Sequence, residues 1–238
     1  MLENVNIRDV LFLDIETVPL HPSASDVPAE EMELWEKKTR YTRKDGETAE
    51  EAYAKAGIWA EFGRVICISM GFLFFRDEER CFRVKSFYHN DEKQLLQEAA
   101  QQIEQFFTKR TKVKLCAHNG KEFDFPYMAR RMLINGIKLP KVLNVAGFKP
   151  WEVPFLDTLE LWKFGDYKHY TSLNLLSYLF SIPSPKDDID GSMVSDVYYK
   201  ENNLERIVRY CERDVLAVAQ LLLRYKGEEL ITTVESTG

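Results

Sequence analysis

Cysteine is scarce in this chain. Four residues among 238, Cys67, Cys81, Cys116 and Cys211, stand far apart in apolar surroundings with no CxxC pair. That spacing, with 4 unclustered histidines, argues against a disulfide framework and against zinc, so reduced core thiols are expected. Long apolar runs are also missing. The longest, Val65 to Phe75, contains Ser69 and Gly71 and falls short of the roughly 18 to 20 residues that span a bilayer, so no membrane partner is expected. The opening MLENVNIRDV has neither a basic region nor an apolar one, which leaves no secretory signal and predicts a cytoplasmic protein. With 11 Gly and 9 Pro the chain is neither fibrous nor disordered in composition. Positive charge is in deficit. The 32 Lys+Arg against 38 Asp+Glu leave a net charge of −6, which removes a generic electrostatic case for nucleic-acid binding. It leaves open an enzyme that holds phosphates locally through metal ions and a few cations.

What is present suits a sizeable core: 45% hydrophobic and 13% aromatic residues, in a length that predicts one domain over 1–238. Asp9 to Val18, DVLFLDIETV, reads as a short buried strand with two carboxylates near its end. From about 20 to 63 the composition shifts to Glu, Lys and Ala, and Thr48 to Glu51 forms a capping box that opens a short helix ending near Gly57. This is a charged helical insertion, with the capacity to cover a site or bind a protein partner. Arg64–Phe75 and Arg80–Tyr88 predict an antiparallel hairpin. Apolar residues at Leu95, Leu96, Ala99, Ile103, Phe106 and Phe107 predict an amphipathic helix. A strand at Lys112–Ala117, a helix from about Pro126, a fifth strand at Val153–Leu159 and a helix at Leu173–Phe180 follow. Next come a Pro-, Ser- and Asp-rich loop from Ile182 to Gly191 and a long helix from Leu204 to Tyr225. The order predicts an α/β fold with a mixed five-stranded sheet and helices on both faces.

Asp14 and Glu16 are two apart on a strand, so both leave one face. Like charges side by side are unfavourable without a cation, and hard divalent ions such as Mg²⁺ or Mn²⁺ prefer carboxylate oxygen. The blander alternative is a polar strand end. Asp124 stands just before a helix start, where an acid also complements the macrodipole. Tyr210 and Asp214, four apart on the last helix, share a face.

DIET (Asp14 to Thr17), HNGKEFDFPYM with Asp124, and Tyr210-Cys-Glu-Arg-Asp214 together resemble, in order and spacing, the three motifs of the DEDDy 3′-5′ exonucleases. The likeness is to the proofreading exonuclease domain of family B DNA polymerases in a stand-alone form, and it runs from about residue 9 to 226. PKDDIDGSMVSDVYY, ahead of the last helix, adds to it. The histidine variant of the superfamily does not fit, because Arg209 stands five residues before the last Asp. The resemblance implies a ribonuclease H-like fold and metal-dependent phosphodiester hydrolysis with two divalent ions, Mg²⁺ or Mn²⁺. In that scheme Asp14, Glu16 and Asp214 hold one ion, Asp14 and Asp124 the other, and Tyr210 orients the attacking water. The substrate expected is nucleic acid with a single-stranded 3′ end, DNA ahead of RNA, degraded to nucleoside 5′-monophosphates. No polymerase palm or thumb fits in the remaining length, so proofreading in cis is not expected.

Thr17 and Asn119 are the residues within those motifs expected to touch the terminal nucleotide. Phe123 and Tyr127 are candidates for stacking on bases, and Lys121, Arg130 and Arg131 for holding phosphates. Core packing is the alternative for both aromatics. His118 is read as either a cleft residue or a satisfied polar one, and Asp157 as a rival carboxylate whose default role is structural. Lys186 to Gly191 fails as a calcium loop, because Gly191 at loop position 6 puts Lys186 and Val197 at ligand positions. Two other classes remain open: a noncatalytic nucleic-acid-binding module, and a subunit docked on a repair or replication assembly through the insertion.

Overall fold

In the computed structural model, residues 2–108, 110, 112–166, 170–183 and 189–237 are described. The apolar run at the start forms β1 (Val10–Pro19), buried on both sides. Leu11, Leu13 and Ile15 enter one core cluster and Val10 and Phe12 another, as the twofold alternation of a central strand requires. β2 (Gly63–Arg76) pairs antiparallel with β1, and β3 (Glu79–Tyr88) pairs antiparallel with β2. The hairpin turns on Asp77 and Glu78, whose φ values of 48° and 67° give the left-handed pair that matches strand twist.

β4 (Lys114–Ala117) runs parallel to β1, and β5 (Leu156–Asp157) parallel to β4. Among the described residues the sheet has six strands in the order β5-β4-β1-β2-β3-β6. The mixed α/β architecture is the expected one, with a strand more than expected. β6 (Thr233–Ser236) adds parallel to β3, and its sequence TVES has one apolar residue and therefore no pattern to read. The strand expected at Val153–Leu159 shrinks to Leu156–Asp157, because Asp157 accepts from the backbone N–H groups of Leu159 and Glu160 and opens α5 (Thr158–Lys163).

On one face, α3 (Glu92–Thr108) and α4 (Asp124–Ile134) bury Leu95, Ile103, Phe125 and Met128 against β1, β2 and β4. On the other face lie α8 (Leu204–Tyr225), α7 (Val194–Tyr199) and α6 (Leu173–Leu179), packed through Val215, Val218, Leu222, Val197 and Leu176. α7 follows the acid-rich loop, of which residues 184–188, including Lys186, Asp187 and Asp188, lie outside the described residues.

The segment between β1 and β2 folds as α1 (Ala29–Thr39), which was not anticipated, and α2 (Ala49–Ala52), whose Thr48–Glu51 capping box is formed. A 3₁₀ turn at Tyr53–Ile58 follows. Trp35, Tyr53, Ala56 and Phe62 give this segment a small core of its own. It is tied to α4, where Tyr127 Oη donates to Gly57 O at 2.8 Å and Arg131 Nη1 to Ala60 O at 2.9 Å. No helix among the described residues is long and apolar enough to cross a membrane.

Candidate active site

β1 is longer than β4, and that difference exposes the site. Parallel pairing stops at Phe12↔Cys116, whereas pairing with β2 continues to Pro19↔Gly63 through a bulge between Glu16 and Thr17. The acids therefore stand in mid-strand, and the sheet margin that sequence placed at the end of β1 is the end of β4. Past Phe12, one edge of β1 has lost its strand partner. The N–H of Ile15 on that edge donates to Asp124 Oδ1 at 3.1 Å. Asp14, half-buried, and Glu16, buried, leave the face that carries Phe12 and turn toward α8.

Asp124 reaches that edge because the turn before it is held from several sides. Asn119 takes the left-handed conformation, φ 62°, which Asn tolerates better than most residues. Gly120 packs so closely that a Cβ there would lie 2.4 Å from the Ala117 Cβ. The buried Asp157 carboxylate accepts from Asn119 N at 2.9 Å and Lys121 N at 3.0 Å while also capping α5. One side chain thus binds the turn that launches Asp124 to the neighbouring helix. His118 adds a second clamp, with Nδ1 2.9 Å from Thr158 Oγ1 and Nε2 2.9 Å from Thr171 O. Burial lowers its pKa, so the neutral ring donates from Nε2 to the carbonyl and accepts at Nδ1 from the hydroxyl.

From the other side α8 contributes Tyr210, Cys211 and Asp214. The Cys211 thiol donates toward Asp14, 3.4 Å from both its carbonyl oxygen and Oδ2. Burial, then the carboxylates of Asp124, Glu16 and Asp214, holds the Asp14 pKa well above the usual range. Glu16 is raised for the same reasons, burial first and Asp214 next. Asp124 is pushed up to about 7 by burial, against the lowering effect of backbone hydrogen bonds from its own N–H and Ile15. The Tyr210 phenol is raised by burial and by Asp214, Glu16 and Asp14. Asp214 thus raises all three of the other acids, and Asp124 raises both Asp14 and Glu16, a repulsion that favours protonation or a bound cation.

The donor set fits a hard divalent cation. Ligand atoms of Asp14, Glu16 and Cys211 lie within 4.8 Å of one another, and the carboxylate oxygens are of the type that Mg²⁺ and Mn²⁺ prefer. Burial raises the Cys211 pKa, so this thiol is a hydrogen-bond donor to Asp14 and not a thiolate ligand.

Residues 58–233 match a family described as predicted 3′-5′ exonucleases related to the exonuclease domain of PolB. The chain belongs to that family. The matched stretch includes Asp124, Tyr210 and Asp214 and begins downstream of Asp14 and Glu16. The family B DNA polymerase from the hyperthermophilic archaeon Pyrobaculum calidifontis has a similar structure, with a TM-score of 0.56 and 15% sequence identity. The alignment covers 91% of this chain and 24% of the polymerase, and at that identity it speaks for the fold alone. The fold is ribonuclease H-like. No curated protein matches the chain.

For a member of this exonuclease family, the expected substrate contacts divide sharply. Tyr127 is buried with its hydroxyl bound to Gly57 O, and Arg131 is buried against Glu92, with Nη2 2.6 Å from Oε2. Both hold α4 to its neighbours, which corrects their expected contacts with bases and phosphates. Thr17 lies beside Tyr127, whose phenol pKa it lowers against the larger effect of burial. Phe123 is partly buried against Tyr127, ring centroids 5.3 Å apart, and Lys121 Nζ pairs with Glu160 Oε2 at 2.6 Å. Asn119 is half-buried and Arg130 exposed. Two further residues enter the site. Cys211 is expected from the sequence only as a reduced core thiol. Tyr170, largely exposed, has its pKa raised by desolvation and then by Asp124 and Asp214, and nothing in the run KHYTSLN marks it.

Proposed function

We propose that this protein is a metal-dependent 3′-5′ exonuclease that hydrolyses single-stranded DNA from its 3′ end and releases nucleoside 5′-monophosphates. The observation that carries this is the convergence of Asp14, Glu16, Asp124 and Asp214 with Tyr210 at the stretch of β1 beyond β4, where each acid raises its neighbours' pKa values. Divalent cations held by those four carboxylates would activate water and neutralise charge on the phosphate and the leaving 3′ oxygen.

The chain's own groups do the rest. A Tyr210 phenol whose pKa is raised stays protonated at neutral pH, so it acts as a hydrogen-bond donor that orients a nucleophile and not as the base. Asp124, fixed on the Ile15 N–H, keeps one oxygen tied and its carboxylate in one orientation. Tyr170, on the segment that His118 clamps, is close enough for Asp124 and Asp214 to raise its pKa, so its hydroxyl would be available to a terminal nucleotide held by those acids.

The test is incubation of purified protein with 5′-labelled single-stranded DNA and matched RNA, each with Mg²⁺, Mn²⁺ or EDTA. A 3′-to-5′ ladder that requires metal is expected, abolished by Asp14→Ala and reduced but still measurable in Tyr210→Phe. Full turnover by Asp14→Ala would sink the assignment, and faster loss of RNA would replace DNA with RNA as the substrate.

A further inference from the structure

Where the last turn of α8 meets α5 lies a cavity of about 840 Å³. Trp162, Phe164, Phe180 and Tyr225 line it together with Arg224. Trp162 and Tyr225 set their rings nearly parallel, 13° apart with centroids at 6.3 Å, and Phe180 stands edge-on to both at 5.8 and 5.5 Å. These three rings pack on Leu176, Ile182 and Leu221, which accounts for their presence. Phe164 is different. It ends α5 in the left-handed conformation, φ 45°, where Gly or Asn is the usual residue, and its ring is 91% exposed. A ring so exposed gains no packing within the chain to offset that conformation.

Arg224 is also unengaged. Its guanidinium makes no hydrogen bond and no ion pair among the described residues, and its Nε is closed off from water without an acceptor. The other charges at the cavity are mostly taken. Lys226 Nζ donates to Leu2 O and Val5 O, each at 3.0 Å, and Glu160 meets Lys121 at 2.6 Å, which leaves the exposed Glu3 as the remaining acid. A free guanidinium beside aromatic rings combines the two elements that recognise a nucleotide. The rings offer planar faces on which a base stacks, and the fork of N–H donors matches phosphate oxygens in pairs.

We propose that this cavity binds a nucleotide, with its base against Phe164 and the neighbouring rings and its phosphate on Arg224, at a place separate from the carboxylate centre. The nucleotide is either one unit of a nucleic-acid strand or a free mononucleotide. The inference goes beyond the exonuclease reading and does not depend on it. α5 joins the two places. Asp157 at its start binds the turn that aims Asp124, and Trp162 and Phe164 at its end line the cavity, about 9 Å further along the helix axis.

The experiment uses the full chain in EDTA, where metal-dependent turnover is absent, and follows thymidine 5′-monophosphate and thymidine by saturation-transfer NMR titration. Saturable binding with transfer to the base protons is expected. Phe164→Asn, which suits the left-handed backbone, should weaken both ligands about tenfold at an unchanged or higher Tm. Arg224→Gln should weaken the monophosphate about tenfold and leave thymidine unchanged, a split that lost packing would not produce. Oligothymidylate is then added as a competitor. Displacement of the monophosphate at a lower nucleotide concentration than its own affinity requires assigns the cavity to a strand, and displacement no better than that assigns it to a free mononucleotide. Asp124→Ala should bind both ligands as the wild type does, and loss of binding there would move the ligand to the carboxylates and overturn the proposal. So would no saturable binding by the wild type, wild-type affinity in Phe164→Asn, or equal losses of the two ligands in Arg224→Gln. Failure of the exonuclease reading shows separately, as absence of a metal-dependent ladder with this binding intact.

Discussion

Asp157 shows how much one buried carboxylate can organise. Oδ1 accepts from the N–H groups of Asn119, Leu159 and Glu160, and Oδ2 from that of Lys121. Asp157→Asn keeps the first oxygen and sets an NH₂ against the Lys121 N–H, whereas Asp157→Ala loses every one of these acceptors. A graded effect is expected, with the Ala variant destabilised by about 3 kcal/mol or more and Asn by about half that, from roughly 1 kcal/mol per bond and the cost of an unpaired buried donor. Urea unfolding would measure it, and equal losses in the two variants would count against the bonding scheme. Turnover should fall in the same order, because the turn bound by Asp157 is the one that aims Asp124. The aspartate was visible in PFLDTLEL as a carboxylate at a strand end. Its partners in the HNGK turn, 36 and 38 residues upstream, were not, since sequence does not show which turn a folded side chain will meet.

At the scale of elements, the β1-β2-β3 meander, α3, α4 and α8 were legible because each carries a periodic apolar pattern many residues long. Three short elements were not. α5, α7 and β6 run for six, six and four residues and are held by caps and neighbours more than by pattern. Arg131 illustrates the complementary error. Its basic side chain after a motif acid looked like a phosphate ligand, and the fold turns it inward to Glu92, where Asn135 Nδ2 and the Val65 N–H complete the carboxylate's hydrogen bonds. Arg131→Met leaves the Glu92 charge buried without its cation. We expect a loss of about 3–5 kcal/mol in denaturant unfolding, with kcat per folded molecule unchanged. A kcat collapse at unaltered stability would return Arg131 to the substrate contacts.

For the molecule as a whole, the carboxylate cluster couples stability to pH and metal. A carboxyl with a raised folded pKa keeps its proton where the unfolded chain has lost it, so from about pH 4, the ordinary carboxyl range, to about 7 for Asp124 the folded state binds more protons. Stability drawn from the site therefore falls as pH rises through that window. In EDTA, thermal scans should show the Asp124→Asn variant gaining on the wild type between pH 5 and pH 8. Mn²⁺ should raise the wild-type Tm, by an increment that grows over the same interval as the ligands ionise. A metal increment independent of pH would contradict the assignment of these acids as ligands.

By itself the sequence determined the α/β class, the order of the main elements, the candidate carboxylates and the tyrosine, because these follow from local periodicity and from motif residues at set spacings. Tertiary structure decided what lies beside what. The early end of β4 uncovers the edge of β1, and α8 crosses the same face to bring Tyr210 and Asp214 to acids some 200 residues earlier in the chain. Packing also chose which of the basic and aromatic residues near Asp124 serve the core. Burial and the proximity of charges are properties of the folded chain, so the raised carboxylate pKa values do not exist before the sheet and its helices assemble.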